Sequence, residues 1–246
     1  MKKVFITLII SLFALGSVVI YSLNLSSADI DQNEGKVYRV THNEMFDMGK
    51  RLSSLENVQN PVLKINDLII DEMTFKTWLI KGETAKYSIE KTLETMIKRE
   101  LAYDLALKSN VAISEKEAYE ISMEMWNDLK TRKSEISNTE IIDAYIDGLG
   151  VSEEVFWTQI NVIDEMYAYS IINLSKKVVE DAITEGLLAI EPTEDDFSSI
   201  AEYYEARNQW SHKNHAYWNE WLDKQYKNAN IQVLNKSIVT VDINNN

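Results

Sequence analysis

The sequence predicts a mainly α-helical fold with a small β hairpin, a C-terminal strand and one N-terminal transmembrane helix. Glycine and proline are scarce, with 7 and 2 residues among 246, which argues against turn-rich sandwiches and barrels. Several long segments repeat apolar residues every three to four positions, the spacing of one helix face. Because 45% of the residues are hydrophobic, the chain can also bury a sizeable core.

The first element is an uncharged, mostly apolar run from Val4 to Leu25, preceded by Lys2 and Lys3. The run is long enough to cross a bilayer as a helix, and the lysines place its N-terminus inside the cell. Two interpretations stay open: an uncleaved signal anchor, or a signal peptide cut after Ala28. The length of the run favours the anchor. We expect a single-pass protein of the cell membrane with an extracytoplasmic C-terminal domain, or a secreted protein if it is cleaved.

Composition divides the chain into four regions. We expect an anchor or signal peptide, a polar linker with room for one short helix, a folded domain that begins at Pro61, and a short tail. Their bounds are 1–28, 29–60, 61–240 and 241–246.

The folded domain begins with a predicted hairpin in the stretch VLKINDLIIDEMTFKTWL. Two apolar runs, Val62–Ile65 and Leu68–Ile70, are joined by Asn66 and Asp67, which are residues typical of turns. An acidic first turn and a stop at Gly82 then predict a short helix.

Capping residues and apolar stripes predict the following helices. The next helix carries an apolar residue at every fourth position. Ser114 with Glu117 forms a capping box for another helix, the segment SNTEIIDAYIDGLG predicts a short one, and Ser152 begins a long one. The stripe that defines the first of these consists of Ile89, Leu93, Ile97, Leu101 and Leu105.

The last predicted helix opens at Pro192 and Thr193, where the acidic residues Glu194 to Asp196 suit the positive end of a helix dipole. The tail after it, NIQVLNKSIVTVDINNN, turns to β-branched residues and predicts a strand.

Charge and motif content exclude several functions. A formal net charge of −14 disfavours binding to nucleic acid. The absence of cysteine excludes disulfides and thiol chemistry, and no glycine-rich phosphate loop is present. His212 and His215 share a helix, but a zinc site needs three or four ligands. We therefore expect no cofactor, no metal and no catalytic residue.

The order of elements resembles the N-terminal chaperone domain of the SurA and PrsA family of exported folding factors. KINDLIIDEMTF stands where that family has a Val-Asn-Gly hairpin before a helix with a phenylalanine, with Asp67 in place of the glycine. LETMIKRELAYDLALKSNVAISEKE, GLGVSEEVFWTQI and WLDKQYKNANIQVL resemble later parts of the domain. The resemblance covers roughly residues 62–234 and implies a multi-helix fold of the SurA N-terminal and trigger-factor C-terminal type.

Two further expectations come with this resemblance. The strand near Ile231–Leu234 would pair with Val62–Ile65 and close the domain, since an isolated hairpin is only marginally stable. The parvulin-type prolyl isomerase domain of many family members has no room between Lys177 and Trp210, so we expect no isomerase activity.

Methionine and aromatic side chains are the candidate binding residues. Such side chains suit an apolar groove that holds varied unfolded segments, although a packed helical core uses them too. The candidates for peptide binding are Met123, Trp126, Trp157, Met166, Trp210, Tyr217, Trp218 and Trp221.

Two functions from different classes fit these features. The first is a membrane-tethered extracytoplasmic chaperone that binds unfolded or exported polypeptides. The second is a structural protein that docks one dedicated partner of the cell envelope. The sequence leaves the client and the oligomeric state open.

Overall fold

The computed structural model describes residues 40–132 and 139–239, and the chain there is mainly helical. A helical turn, Glu153–Val155, and a π-helical segment, Phe156–Ile160, lead directly into the helix that begins at Asn161, and a 3-10 turn, Glu194–Asp196, precedes the last helix. The helices are α1 (His42–Ser53), α2 (Glu72–Thr84), α3 (Ile89–Lys108), α4 (Glu115–Arg132), α5 (Thr139–Leu149), α6 (Asn161–Thr184) and α7 (Ile200–Asn228). The strands are β1 (Pro61–Ile65), β2 (Leu68–Asp71) and β3 (Ile231–Val233).

Strand β1 is the centre of a three-stranded antiparallel sheet with the order β2-β1-β3. Leu63 pairs with Val233 and Ile65 with Ile231, so the predicted pairing of the C-terminal strand with the hairpin is confirmed. Val62, Leu63 and Ile65 are fully buried in one hydrophobic cluster with residues of α2 and α3. The third strand and the two helices thus stabilise a hairpin that would be marginal alone.

The hairpin turn is tied to the beginning of β3. Asn66 adopts the left-handed conformation (φ +53°), whereas Asp67 does not, so the turn does not require a glycine at position 67. The backbone N–H of Asn66 donates to Asn230 O at 2.8 Å. The Asn66 Oδ1 accepts from Asn230 N at 2.9 Å.

The region that we expected to be a linker contributes a packed helix. Thr41 caps α1 through a capping box with Glu44. Met45 and Met48 of α1 are buried in a cluster with α4, α5 and the π-helical segment. The folded part of the chain therefore begins before Pro61, because the amphipathic residues of this region cover an apolar face of α5.

Helices α1 and α5 cross with their backbones in contact. A Cβ atom at Gly148 would lie 2.1 Å from the carbonyl oxygen of Phe46, and one at Gly49 would lie 2.5 Å from that of Tyr145. Only glycine fits at this crossing.

The expected stop at Gly82 is wrong. Helix α2 continues to Thr84, and Gly82 lies where a Cβ atom would meet the side chain of Thr92 on α3. The helix ends at Thr84 with Ala85 as its C-cap, and the left-handed Lys86 (φ +62°) follows, while Tyr87 N donates to Gly82 O at 2.9 Å. Gly82 is explained by the close packing of α2 against α3, and not by the end of the helix.

The expected start of the last helix is also wrong. Thr193 and Asp196 cap each other around a single 3-10 turn, after which Phe197 and Ser199 are extended. Helix α7 begins at Ile200, with the Ser199 Oγ accepting from Glu202 N at 3.3 Å. The predicted caps at Ser114 and Ser152 are confirmed by their hydrogen bonds.

The ends of the chain lie outside the described residues. Within 40–132 and 139–239, every helix is too short or too polar to cross a bilayer. The predicted transmembrane segment in 1–28 and the tail 241–246 fall outside these ranges.

We predict that Gly148→Ala destabilises the protein by about 1–3 kcal/mol, because the new methyl group overlaps a backbone carbonyl that cannot turn away. Chemical denaturation followed by circular dichroism measures the loss. Asp147→Ala, at the exposed neighbouring position, is the control and changes stability by less than about 0.5 kcal/mol. Equal stability of the two variants would contradict the close crossing.

Candidate functional site

One face of α7 carries an apolar stripe in two parts, one toward each end of the helix, separated by the polar residues Arg207, Ser211 and Asn214. Ile200, Tyr204, Trp218 and Leu222 are separated by 4, 14 and 4 positions, and these spacings bring side chains to the same side of a helix. The two halves of this stripe have different surroundings.

The C-terminal half of the stripe is part of the core. Trp218 and Leu222 are only 4% and 2% exposed. They pack in one cluster with Ala102 and Ala106 of α3 and with residues of α6. Trp221 stacks on Trp218, with ring centroids 5.4 Å apart and planes inclined by 19°. This packing fixes the C-terminal half of α7 to the body of the protein.

The N-terminal half of the stripe is uncovered. Ile200 and Tyr204 are 50% and 53% exposed. The ring of Tyr203 lies 5.4 Å from that of Tyr204 and 6.1 Å from that of Phe197. Phe197 and Tyr203 themselves are half-buried. We call the group Phe197, Ile200, Tyr203 and Tyr204 the exposed stripe.

The connection between α6 and α7 runs beside this half of the helix. The indole N–H of Trp210 donates to Ala189 O at 2.8 Å, and Arg207 Nε lies 3.0 Å from Glu191 Oε1. Leu187 and Ile190 on the same connection are exposed apolar residues. The connection therefore supports α7 and adds apolar surface, but it leaves the exposed stripe open.

A cleft of about 230 Å³ opens between α6 and α7. Leu174, Val178 and Ala182 of α6 line it together with Tyr217 and Trp221 of α7. Lys177 and Asp181, which form an ion pair at 3.0 Å, also line it. We call this space the α6–α7 cleft, and it is smaller than the usual pocket for a small-molecule ligand.

The structure distributes the eight predicted binding residues over separate places. Tyr217 and Trp221 line the α6–α7 cleft, and Trp210 holds the α6–α7 connection. Met123 and Met166 are half-buried, on α4 and α6 respectively. The eight residues therefore do not form one groove.

Trp126 and Trp157 belong to a different region, a cavity of about 160 Å³ between α4, α5 and the turn before α6. The Trp126 indole N–H donates to Glu153 Oε2 at 3.2 Å, and the Lys130 ammonium lies 3.2 Å from the centre of its ring. These contacts leave Trp126 half-buried.

The prediction that Trp157 and Trp218 bind peptides is wrong, because both are core residues. Trp157 is 3% exposed and packs edge-to-face against Phe156 at 5.0 Å, and Trp218 lies beneath the α6–α7 cleft. Neither ring is open to a polypeptide, because each fills space between helices.

A buried ionic group between α2, α3 and α6 was not predicted from the sequence. The Arg99 guanidinium lies between the rings of Trp78 and Tyr167, at 5.3 and 4.7 Å, and 3.4 Å from Asp164 Oδ1. Lys81 Nζ approaches the same carboxylate at 4.0 Å. The signal was present in the sequence, because Arg99 and Glu100 interrupt the apolar run between Ile97 and Leu101.

Burial shifts the pKa values of this group. It raises the pKa of Glu100 and lowers the pKa of Lys81. Burial, reinforced by the negative charge of Asp164, raises the pKa of Glu165 to about 8. The Glu165 Oε2 has no hydrogen-bond partner among the described residues. The ionic group joins α2, α3 and α6. No cluster of three potential metal ligands occurs in the described part of the chain.

No family of known proteins, no curated sequence and no solved structure matches this chain. The resemblance to the SurA and PrsA domain therefore stays a prediction, and the functional argument depends on the described surfaces.

We predict that the free energy of unfolding falls between about pH 5 and pH 8. The folded protein keeps a proton on Glu165 up to about pH 8, whereas the unfolded chain loses it near pH 4.5, so stability decreases as pH rises through this interval. The Glu165 carboxyl alone lowers the free energy of unfolding by at most about 1.4 kcal/mol per pH unit. Glu165→Gln removes this contribution and makes the decrease shallower, with the contribution of Glu100 remaining, whereas the exposed Glu180→Gln on the same helix leaves the profile unchanged.

A second prediction separates the two halves of the α7 stripe. Trp218→Ala lowers the free energy of unfolding by about 3–5 kcal/mol, because it leaves a cavity between helices. Tyr204→Ala changes it by less than about 0.5 kcal/mol, since the ring lies at the surface. Urea denaturation of both variants tests this difference, and a large loss for Tyr204→Ala would show that the exposed stripe is covered.

Proposed function

We propose that the protein is a chaperone-like binding module that captures apolar segments of unfolded or exported polypeptides on α7. The exposed stripe makes the first contact, and the α6–α7 cleft receives a single side chain. The module uses no cofactor and performs no catalysis. A tether formed by the N-terminal apolar segment would hold it at the extracytoplasmic face of the cell membrane.

The observation that carries this proposal is the change in surroundings along α7. The side of α7 that is buried at Trp218 and Leu222 carries apolar residues again at Ile200 and Tyr204, which are half exposed. Exposed apolar patches on soluble proteins often mark interaction sites. Rigid aromatic rings also supply contact area at a low entropic cost.

Weak, exchangeable binding is what such a surface provides. Burying one large apolar side chain yields about 1.5–3 kcal/mol, but the captured segment loses conformational freedom of similar size. Two or three contacts on the exposed stripe therefore hold an unfolded segment without trapping it. The small volume of the α6–α7 cleft, about 230 Å³, favours a side chain over a free metabolite.

The element order also supports this proposal. A hairpin, capped helices, a long closing helix and a strand that returns to the hairpin follow one another as the resemblance to exported folding factors implies. The alternative, docking of one dedicated envelope partner, uses the same surface with a specific ligand. Binding of several unrelated unfolded proteins favours the chaperone, and one stoichiometric partner favours the alternative.

We predict that Ile200→Ser combined with Tyr204→Ser weakens binding of an unfolded client by roughly 10-fold or more, because two apolar contacts are lost. The measurement is suppression of aggregation of a chemically denatured client by the purified protein, together with fluorescence anisotropy of a labelled apolar peptide.

The matched control is Ile163→Ser combined with Tyr119→Ser, which removes an exposed isoleucine and an exposed tyrosine elsewhere on the surface. Both double variants should keep the wild-type circular dichroism spectrum. If they bind clients equally, the α7 surface is not the binding site and this proposal fails.

A further inference from the structure

Strand β2 lies at one edge of the three-stranded sheet. Strand β1 is its neighbour on one side, and no strand of residues 40–132 or 139–239 lies on the other side. The chain continues from β2 directly into α2, whose Phe75 packs in the same cluster as β1. Ile69, within β2, is 47% exposed. The described chain therefore leaves the outer edge of β2 uncovered.

The hydrogen bonds between β1 and β3 show which residues of β1 face which neighbour. Asn66 N donates to Asn230 O at 2.8 Å. Leu234 N donates to Val62 O at 2.9 Å. The even-numbered positions of β1 therefore direct their backbone groups toward β3. Successive residues of a strand bond to opposite sides, so the odd-numbered positions of β1 face β2.

Ile69 carries backbone groups of β2 that point outward. Leu63 and Ile65, at odd positions of β1, are paired with Ile70 and Leu68. Ile69 lies between these two bonded positions, so its N–H and C=O point away from β1. No backbone group in the described part of the chain bonds to them. An unbonded donor, an unbonded acceptor and an exposed apolar side chain thus occur at a single residue.

An open edge of this kind selects an extended polypeptide segment as its ligand. The N–H and C=O of one edge residue hold an added strand through a pair of backbone hydrogen bonds. The side chain that lies opposite Ile69 in the added strand then contacts the exposed isoleucine. Backbone bonds supply the affinity, and the side chains opposite β2 supply the selectivity.

Two aspartates argue against a second copy of this chain as the ligand. Asp67 and Asp71 lie two positions before and two positions after Ile69. Two copies that pair antiparallel with Ile69 opposite Ile69 bring each Asp67 opposite Asp71 of the other copy, and such like-charge pairs are destabilising. A shift by two residues places an aspartate opposite Ile69 instead. Charged residues at sheet edges disfavour self-pairing in this way, so the ligand has a different sequence.

We propose that the outer edge of β2 is a second polypeptide-binding site, which pairs with extended segments of other proteins. The preferred segment has a β-branched apolar residue opposite Ile69 and no acidic residue two positions to either side of it. This site goes beyond the function proposed for α7, because it binds through backbone groups of the sheet and does not involve the exposed stripe.

The test uses three fluorescent peptides in which valine and serine alternate. One is unmodified, one carries N-methyl groups on the valines, and one carries them on the serines. N-methylation removes the N–H donors on one side of a strand and keeps every side chain. We expect N-methylation of the valines, which lie opposite Ile69, to weaken binding to the full chain about 10-fold or more by fluorescence anisotropy. N-methylation of the serines should leave the affinity unchanged.

Substitutions locate the effect on β2. Ile69→Pro removes the outward N–H and no hydrogen bond between β1 and β2, so it should keep the fold and weaken binding of the unmodified peptide about 10-fold. The matched control, Ile69→Thr, keeps the N–H and the preference for a strand, and should lose less than about 3-fold. Circular dichroism checks the fold of both variants. If Ile69→Pro does not fold, the N-methylated peptides decide the question.

The outcomes separate this inference from the proposed function. If the three peptides bind equally, or if Ile69→Pro binds as tightly as Ile69→Thr, the β2 site is overturned. If the Ile200→Ser and Tyr204→Ser variant alone loses binding, the peptide lies on α7, which supports the proposed function and overturns this inference. A wild-type dimer in analytical ultracentrifugation that Ile69→Pro dissociates also overturns it, because a second copy then occupies the edge.

Discussion

The packing of Trp218 and Leu222 between α3 and α6 is the contact on which the proposed surface depends. It fixes only the C-terminal half of α7, and strand β3 holds the same end of the helix through its pairing with β1. The N-terminal half is held by the connection from α6, through the bonds of Trp210 with Ala189 and of Arg207 with Glu191. Ile200 and Tyr204 remain half exposed there.

The position of α6 depends in turn on the buried ionic group. Arg99 on α3 contacts Asp164 on α6 and the Trp78 ring on α2, so one guanidinium links three helices. Burying such a group costs desolvation free energy, but removing one partner would destabilise the fold more, because an uncompensated charge would remain inside. The group therefore holds α6, one of the two helices that line the α6–α7 cleft, against α2 and α3.

Local features of this fold could be predicted from the sequence, whereas burial could not. The caps at Ser114 and Ser152 depend on a side chain and a backbone a few residues away, so the sequence contains all the necessary information. The pairing of β1 with β3 followed from a resemblance in element order. By contrast, Gly82 and Trp157 were misassigned, because their roles depend on how their helices pack against other helices. Tyr204 and Trp218 share one helix face, and only tertiary structure separates the exposed residue from the buried one.

The hydrogen bonds between Asn66 and Asn230 join residues 164 positions apart. During synthesis the hairpin leaves the ribosome long before the strand that completes its sheet. Val62, Leu63 and Ile65 then have an unpaired neighbouring edge, and contacts of such long sequence separation form late. A newly made copy of this chain thus passes through a stage in which its own β edge is open to pairing with other chains.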